Sequence, residues 1–142
     1  MAEKSNLSAW DIVEKMMKED AFSKWLGIKQ MVIEPGYAKL KLTVRPEMVN
    51  GFGIAHGGIC YSLADSALAF ASNGRGFVAV TSTTTISHFT AVQEEDVLVA
   101  ETKELFLGEK SAHYQVAIRN QDDELVASFS GSVYRTAKVW EK

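Results

Sequence analysis

The sequence predicts an α+β domain in which one antiparallel β-sheet wraps around a single long central helix, preceded by a short helical segment. Three observations support this fold class. Residues 37–44, YAKLKLTV, alternate strictly between apolar and polar side chains, as a half-buried strand does. Residues 57–73 form a helical run of small and apolar residues with one charge. Three strand-like segments follow at residues 96–107, 111–119 and 124–136, and their connections are too short for crossovers between parallel strands.

The first half of the chain can be assigned in order. Residues 8–19 predict an amphipathic helix with Ser8 as its N-cap, and a second short helical turn ends at Gly27. Residues 28–34 and 37–44 then flank a Pro-Gly dipeptide, which is typical of a turn. These two segments therefore predict a β-hairpin with one solvated face.

The second half contains the long helix and the remaining strands. Residues 77–92 are rich in β-branched side chains and predict a strand directly after the helix. The last three strands are expected to form an antiparallel meander. The chain has no internal repeat and no linker, so we predict a single domain over residues 1–142.

Composition narrows the class of ligand. The chain of 142 residues has a net charge of −3, and its basic residues form no stripe of the kind that binds nucleic acid. The single cysteine, Cys60, excludes an internal disulfide and any metal-binding cysteine spacing, and fits a reducing cytoplasm. No segment has the apolar core of a signal peptide or a membrane span. We therefore expect a cytoplasmic protein that acts on a small molecule without a metal or other cofactor, away from membranes.

The one charge in the long helix is Asp65. At 100° per residue, one arc of this helix is apolar, while the opposite arc holds Asp65 among small or polar residues: Gly58, Tyr61, Ser62, Ala69 and Ser72. Without further information, a solvated charge on the exposed side of an amphipathic helix would be the favoured explanation of Asp65. Ordinary solvent-facing arcs, however, carry Lys, Glu and Gln, whereas small residues allow a ligand or a second backbone to come close. Asp65 is therefore a candidate functional residue.

The segment that leads into this helix, NGFGIAHGG, is rich in glycine. It predicts exposed backbone N–H groups at the helix N-terminus, where partial positive charge collects and a developing oxyanion is stabilised. The segment is not a phosphate-binding P-loop, because the lysine of that motif is missing.

Residues 50–73, NGFGIAHGGICYSLADSALAFASN, resemble the motif of the hotdog-fold thioesterases, specifically the PaaI-type acyl-CoA thioesterases of phenylacetic acid degradation. The shared pattern is Asn-Gly shortly before His-Gly-Gly, followed by Leu-Ala-Asp with the acid nine residues after the histidine. The predicted order of elements also resembles the hotdog plan over nearly the whole chain. The chain differs from many relatives in carrying Thr90-Ala91 where they have an Arg-Pro that often contacts CoA.

The resemblance implies a role for each matching residue. Asp65 matches the acid that acts as nucleophile or as general base toward water, and the Gly57 N–H matches the donor that polarises the thioester carbonyl. Asn50 and His56 match polar residues that orient the carbonyl. A strand hydroxyl assists in some relatives, for which Ser82 and Thr83 are the candidates here; we add Gly58 as a substrate-binding candidate, because its missing side chain permits close approach.

Helix geometry adds the prediction of a dimer. Gly57 and Asp65 lie eight residues apart, which is about 12 Å along a straight helix. The two groups therefore cannot meet at one carbonyl unless they come from different subunits whose helices run antiparallel across a two-fold axis. We expect a homodimer, or a tetramer built from such dimers, that hydrolyses an acyl-CoA of aryl or medium-chain type. The alternatives are a non-catalytic acyl-CoA binder and a hotdog dehydratase acting on 3-hydroxyacyl thioesters.

Three other residues are interpreted as structural. His88 and His113 lie in strand patterns without a partner nearby in sequence. Cys60 lies on the apolar arc of the helix and is expected to be an inert buried thiol.

Overall fold

The computed structural model describes residues 4–142. Its elements follow in the order α1 (Ala9–Glu19), α2 (Ala21–Leu26), β1 (Lys29–Glu34), β2 (Tyr37–Thr43), α3 (Gly57–Asn73), β3 (Phe77–His88), β4 (Val97–Leu107), β5 (Ser111–Arg119) and β6 (Leu125–Val139). A single 3₁₀ turn, Pro46–Met48, lies between β2 and α3.

All six strands form one antiparallel sheet in the order β1-β2-β4-β5-β6-β3. The long helix α3 lies across its inner face and contacts every strand of the sheet. The predicted plan, a sheet wrapped around one central helix with a hairpin before it and a meander after it, is confirmed. β3, the strand that directly follows α3, lies at one edge of the sheet.

Local chemistry explains where the first elements begin and turn. Ser8 caps α1 as predicted: its hydroxyl accepts from the Asp11 N–H at 3.0 Å, and the Asp11 carboxylate accepts from the Ser8 N–H at 3.3 Å. The hairpin turns at Gly36, whose φ of +76° favours glycine. The apolar side of β2 is buried as its alternation predicted, with Ala38, Leu40 and Leu42 at most 1% exposed.

Two strand ends differ from the prediction. β3 ends at His88 instead of residue 92, because the Phe89 and Thr90 N–H groups both turn to the Val126 carbonyl and the ladder stops. β6 continues to Val139 instead of residue 136, since β3 pairs with it as far as Phe77.

The apolar arc of α3 is buried as predicted, and consists of Ile59, Cys60, Leu63, Ala64, Ala67, Phe70 and Ala71. The prediction was wrong for Ser72, which is buried although it was assigned to the polar arc. Its hydroxyl donates to the Leu68 carbonyl at 2.8 Å, so the helix itself satisfies the polar group. In residues 4–142 no helix has the length and hydropathy needed to cross a bilayer.

The end of α3 is fixed by the buried amide of Asn73. Its Nδ2 donates to the carbonyls of Ala69 at 2.9 Å and Ala79 at 3.1 Å. Its Oδ1 accepts from the Ala79 N–H at 3.0 Å and from the Trp140 indole N–H at 2.9 Å. One side chain therefore joins the last turn of α3, the start of β3 and the residue that follows β6.

Candidate active site

The loop before α3 is closed by a β-bridge between Val49 and Ala55. Within it, the Asn50 N–H donates to the Ile54 carbonyl at 2.8 Å, and the Asn50 Oδ1 accepts from the Phe52 N–H at 2.9 Å and the Ile54 N–H at 3.4 Å. These two backbone donors fix which end of the amide is the oxygen. The Asn50 Nδ2 has no acceptor within residues 4–142, so it is a donor available to a ligand.

The N-terminus of α3 is capped by His56. Its Nδ1 accepts from the Gly58 N–H at 3.0 Å, so the neutral ring carries its proton on Nε2. The Gly58 amide is thereby used within the cap. The Gly57 N–H, by contrast, has no acceptor in the part of the chain that the structure describes. It therefore offers a free donor at the positive end of the helix dipole.

These groups line a pocket of about 300 Å³ at the start of α3. Its walls include three predicted site residues, Asn50, His56 and Gly57. Cys60 forms part of the wall, and His88 at the end of β3 faces it. The pocket therefore brings together hydrogen-bond donors, and no carboxylate belongs to its lining.

His88 is the pocket residue that the sequence interpretation missed. The position that a Cβ on Gly57 would occupy is 3.3 Å from the His88 Nε2. The sequence did contain a signal for His88. Side chains two residues apart on a strand share a face, and Ile86 packs against the core, so His88 lies on the side of β3 that faces α3. The other histidine fits its structural interpretation, since the His113 Nδ1 lies 2.7 Å from the Ser132 hydroxyl on β6.

Asp65 lies two turns further along α3 and is half-buried. Its Oδ1 is shielded from solvent and has no hydrogen-bond partner among the described residues. Burial raises the pKa of Asp65 above its ordinary value; the Thr81 hydroxyl on β3 opposes that rise, and the negative charge of Asp20 adds to it. A buried, unpartnered carboxylate is uncommon unless it serves a function.

The strand hydroxyl that approaches Asp65 belongs to Thr81, and neither predicted candidate lies beside the carboxylate in this chain. The Ser82 hydroxyl donates to the Ser132 carbonyl at 3.0 Å. Thr84 faces α3, where its hydroxyl lies 2.8 Å from that of Tyr61, so the preceding Thr83 is directed to the opposite face.

The predicted site residues thus form two groups in one chain. The donors lie at the N-terminus of α3, and the carboxylate lies about 12 Å along the same helix. The first group can bind and polarise a carbonyl oxygen, while the second can attack or activate water. A single chain does not bring them to one reacting carbon.

Cys60 does not supply a nucleophile. It is buried, and burial raises its pKa to about 11, so the thiol stays protonated near neutral pH. Over residues 4–142 no group of three His, Cys, Asp or Glu side chains could hold a metal ion.

Comparison with known proteins identifies the family. The Thioesterase superfamily model matches residues 52–127. The acyl-coenzyme A thioesterase PaaI of Escherichia coli is 36% identical over 127 residues, which cover 89% of this chain and 91% of that protein.

Solved structures show the same fold. The structure of the E. coli PaaI protein from the phenylacetic acid degradation operon has a TM-score of 0.90 at 34% identity, and the match covers 94% of this chain and 96% of that one. The structure of smu.793 from Streptococcus mutans, bound to acetyl CoA, has a TM-score of 0.77 at 25% identity, covering 80% and 91%.

The family match spans more than half of this chain, and the chain therefore belongs to the Thioesterase superfamily. The hotdog fold and the PaaI resemblance predicted from residues 50–73 are confirmed. The protein is a thioester hydrolase.

Proposed function

We propose that the protein hydrolyses an acyl-CoA, of aryl type such as phenylacetyl-CoA or of medium-chain type, to the free acid and CoA. The observation that carries this proposal is the pairing of free donors at the start of α3 with an unpartnered carboxylate further along the helix. The relationship to PaaI and the acetyl CoA bound to smu.793 support CoA thioesters as the substrate class. CoA enters as part of the substrate, so the reaction needs no cofactor, and a cytoplasmic location agrees with the free thiol of Cys60.

We infer that the active site is formed between two chains. β3 is an edge strand of 12 residues without a lysine, arginine, aspartate or glutamate, and most of its residues are exposed. Long, uncharged edges are templates for pairing with another chain. If β3 pairs antiparallel with its copy, the two α3 helices run antiparallel side by side, and Asp65 of one chain comes opposite Gly57 of the other. Such dimers can associate further into a tetramer.

In the proposed reaction, the Gly57 N–H of one chain donates to the thioester carbonyl oxygen, with Asn50 beside it. Asp65 of the other chain accepts a proton from water while the water oxygen attacks the carbonyl carbon. The tetrahedral intermediate collapses with cleavage of the C–S bond, and the departing CoA thiolate takes up the proton that Asp65 accepted, which restores the carboxylate. The raised pKa of Asp65 favours this general-base role over direct attack, because a stronger base accepts the proton more readily.

A CoA-release assay tests the reaction. Native protein, Asp65→Asn and the exposed control Asp122→Asn would be compared over a panel of acyl-CoAs with a thiol-reactive dye; the buried Cys60 adds little background. We expect native turnover to fall by about 10²–10⁴ in Asp65→Asn, the usual contribution of a positioned base, and to stay unchanged in the control. Equal turnover by native protein and Asp65→Asn would refute the catalytic role.

Mixing two inactive variants tests the shared site. In a dimer of one Asp65→Asn chain and one Asn50→Ala chain, one site carries both defects and the other carries none. Random co-refolding of equal amounts makes half of the dimers hybrids with one intact site of two, so about a quarter of native activity should return. Each variant refolded alone is the control. No recovery would show that each site lies within a single chain.

A further inference from the structure

The imidazole of His88 makes no hydrogen bond among the described residues and lies in a pocket lined by donors. His88 is the last residue of β3 and lies on the same side of the strand as Thr84 and Ile86, facing α3. No hydrogen bond of its ring occurs within residues 4–142, whereas the other two histidines, His56 and His113, each use a ring nitrogen in one.

The ring lies directly beside the first amide of α3. The position of a Cβ on Gly57 would be 3.3 Å from Nε2 and 3.5 Å from Cε1 of His88, which is tighter than most contacts of a real Cβ. The missing side chain of Gly57 therefore leaves room for an imidazole edge next to a free backbone N–H. The Gly57 N–H and the His88 ring therefore border the same space at the start of α3.

The surroundings of His88 favour an acceptor atom as the ligand. The pocket has a free N–H on Gly57 and a free Nδ2 on Asn50, and its lining has no carboxylate that would pair with the imidazole. In the tautomer that carries its proton on Nε2, His88 adds a further donor beside Gly57. The acceptor that the proposed reaction brings there is the thioester carbonyl oxygen.

We propose that the Nε2–H of His88 donates a second hydrogen bond to the thioester carbonyl oxygen, alongside the Gly57 N–H. This inference rests on the proposed function, because it assigns a donor for that same reaction. The developing negative charge on the oxygen strengthens both hydrogen bonds in the transition state, so His88 contributes to the rate more than to substrate binding.

Three variants separate donation from packing. His88→Phe keeps a planar ring beside Gly57 without a donor, His88→Gln keeps an N–H near the position of Nε2, and His113→Phe removes a histidine outside the pocket. The variants would be assayed first with phenylacetyl-CoA and then with the same panel of acyl-CoAs. In His88→Phe, kcat/KM should fall about 10²-fold, as for the loss of one oxyanion donor. It should be largely retained in His88→Gln and unchanged in His113→Phe.

A spectroscopic measurement supports the kinetics independently. Phenylacetyl-CoA labelled with ¹³C at the carbonyl would be bound to the Asp65→Asn protein, with and without His88→Phe, and its carbonyl stretch recorded by isotope-edited infrared spectroscopy. The stretch should move to higher frequency when His88 is replaced, because one hydrogen bond to the oxygen is lost.

The outcomes distinguish the two proposals. Native-like kcat/KM in His88→Phe, or an unchanged carbonyl stretch, overturns the role of His88 and leaves the proposed hydrolysis standing. Absence of turnover by the native protein over the whole panel overturns the proposed function, and the role of His88 with it.

Discussion

Replacing Asp65 with asparagine should stabilise the protein at neutral pH. The ionised carboxylate has one oxygen that is shielded from water and has no hydrogen-bond partner within residues 4–142, and burial raises its pKa. A buried polar group left unsatisfied destabilises a protein by about 1–3 kcal/mol. The asparagine amide also places one polar atom in the shielded position, but it has no charge to desolvate; since Asp65 is only half-buried, we expect a gain at the lower end, about 1 kcal/mol. For a domain of this size that raises the thermal midpoint by about 3 °C.

The stability gained by Asp65→Asn should increase as the pH rises. Because the folded-state pKa of Asp65 is raised, the stability linked to its protonated form is fully present below its unfolded pKa, near 3.9, and is lost as the pH rises through the folded pKa. Asparagine resembles the protonated acid and does not titrate. The difference in stability between variant and native protein should therefore be small near pH 4 and reach its full size toward neutral pH.

The assay is denaturant unfolding of native protein, Asp65→Asn and Asp122→Asn over this pH range. Asp122 lies exposed in the turn between β5 and β6, and its replacement changes the net charge by the same amount. The difference in stability between Asp122→Asn and the native protein should not grow with pH in this way. An Asp65→Asn protein that is less stable than native at pH 7, or a difference that does not grow with pH, would refute the desolvation argument.

Two further predictions concern the core and the thiol. Gly131→Ala should lower the free energy of unfolding by about 1–3 kcal/mol through overpacking, because the new Cβ would lie 2.7 Å from the Leu68 Cδ2. Calorimetry would measure this loss of stability. The control is Gly51→Ala, where a Cβ meets nothing within 4 Å. Equal midpoints would mean that Leu68 yields freely. Cys60 should react with a disulfide reagent far more slowly in the folded protein than in denaturant, because it is buried and its pKa is raised to about 11. Rapid labelling of the folded protein would contradict the protection of this thiol.

The fold could be predicted because its two periodicities are unambiguous. The strict alternation in β2 and the apolar arc of α3 each allow one placement relative to the core. The end of β3 could not be predicted, since residues 89–92 keep a strand-like composition and only the turn of Phe89 and Thr90 toward Val126 stops the ladder. That turn depends on a partner strand far away in sequence.

The residues predicted for the site that are close in sequence could be placed together from the sequence, whereas the placement of the strand hydroxyls depends on register. Asn50, His56 and Gly57 lie within eight consecutive residues, and the structure places them around one pocket. Which strand hydroxyl lies near Asp65 could not be predicted, because a register shift between Thr81 and Thr83 breaks the alternation of β3. Thr81 and Thr84 consequently both face α3, although their odd separation would assign them to opposite faces.

The hydrogen bond from the Trp140 indole to Asn73 gives the protein a fluorescence readout. Trp140 is held through its indole N–H at the end of α3, whereas Trp10 and Trp25 are 43% and 47% exposed. With the two exposed tryptophans replaced by phenylalanine, fluorescence from Trp140 alone would follow the C-terminal end of the helix that carries Asp65. Loosening of that helix when a ligand binds would then appear as a shift of the emission maximum of Trp140, without any label.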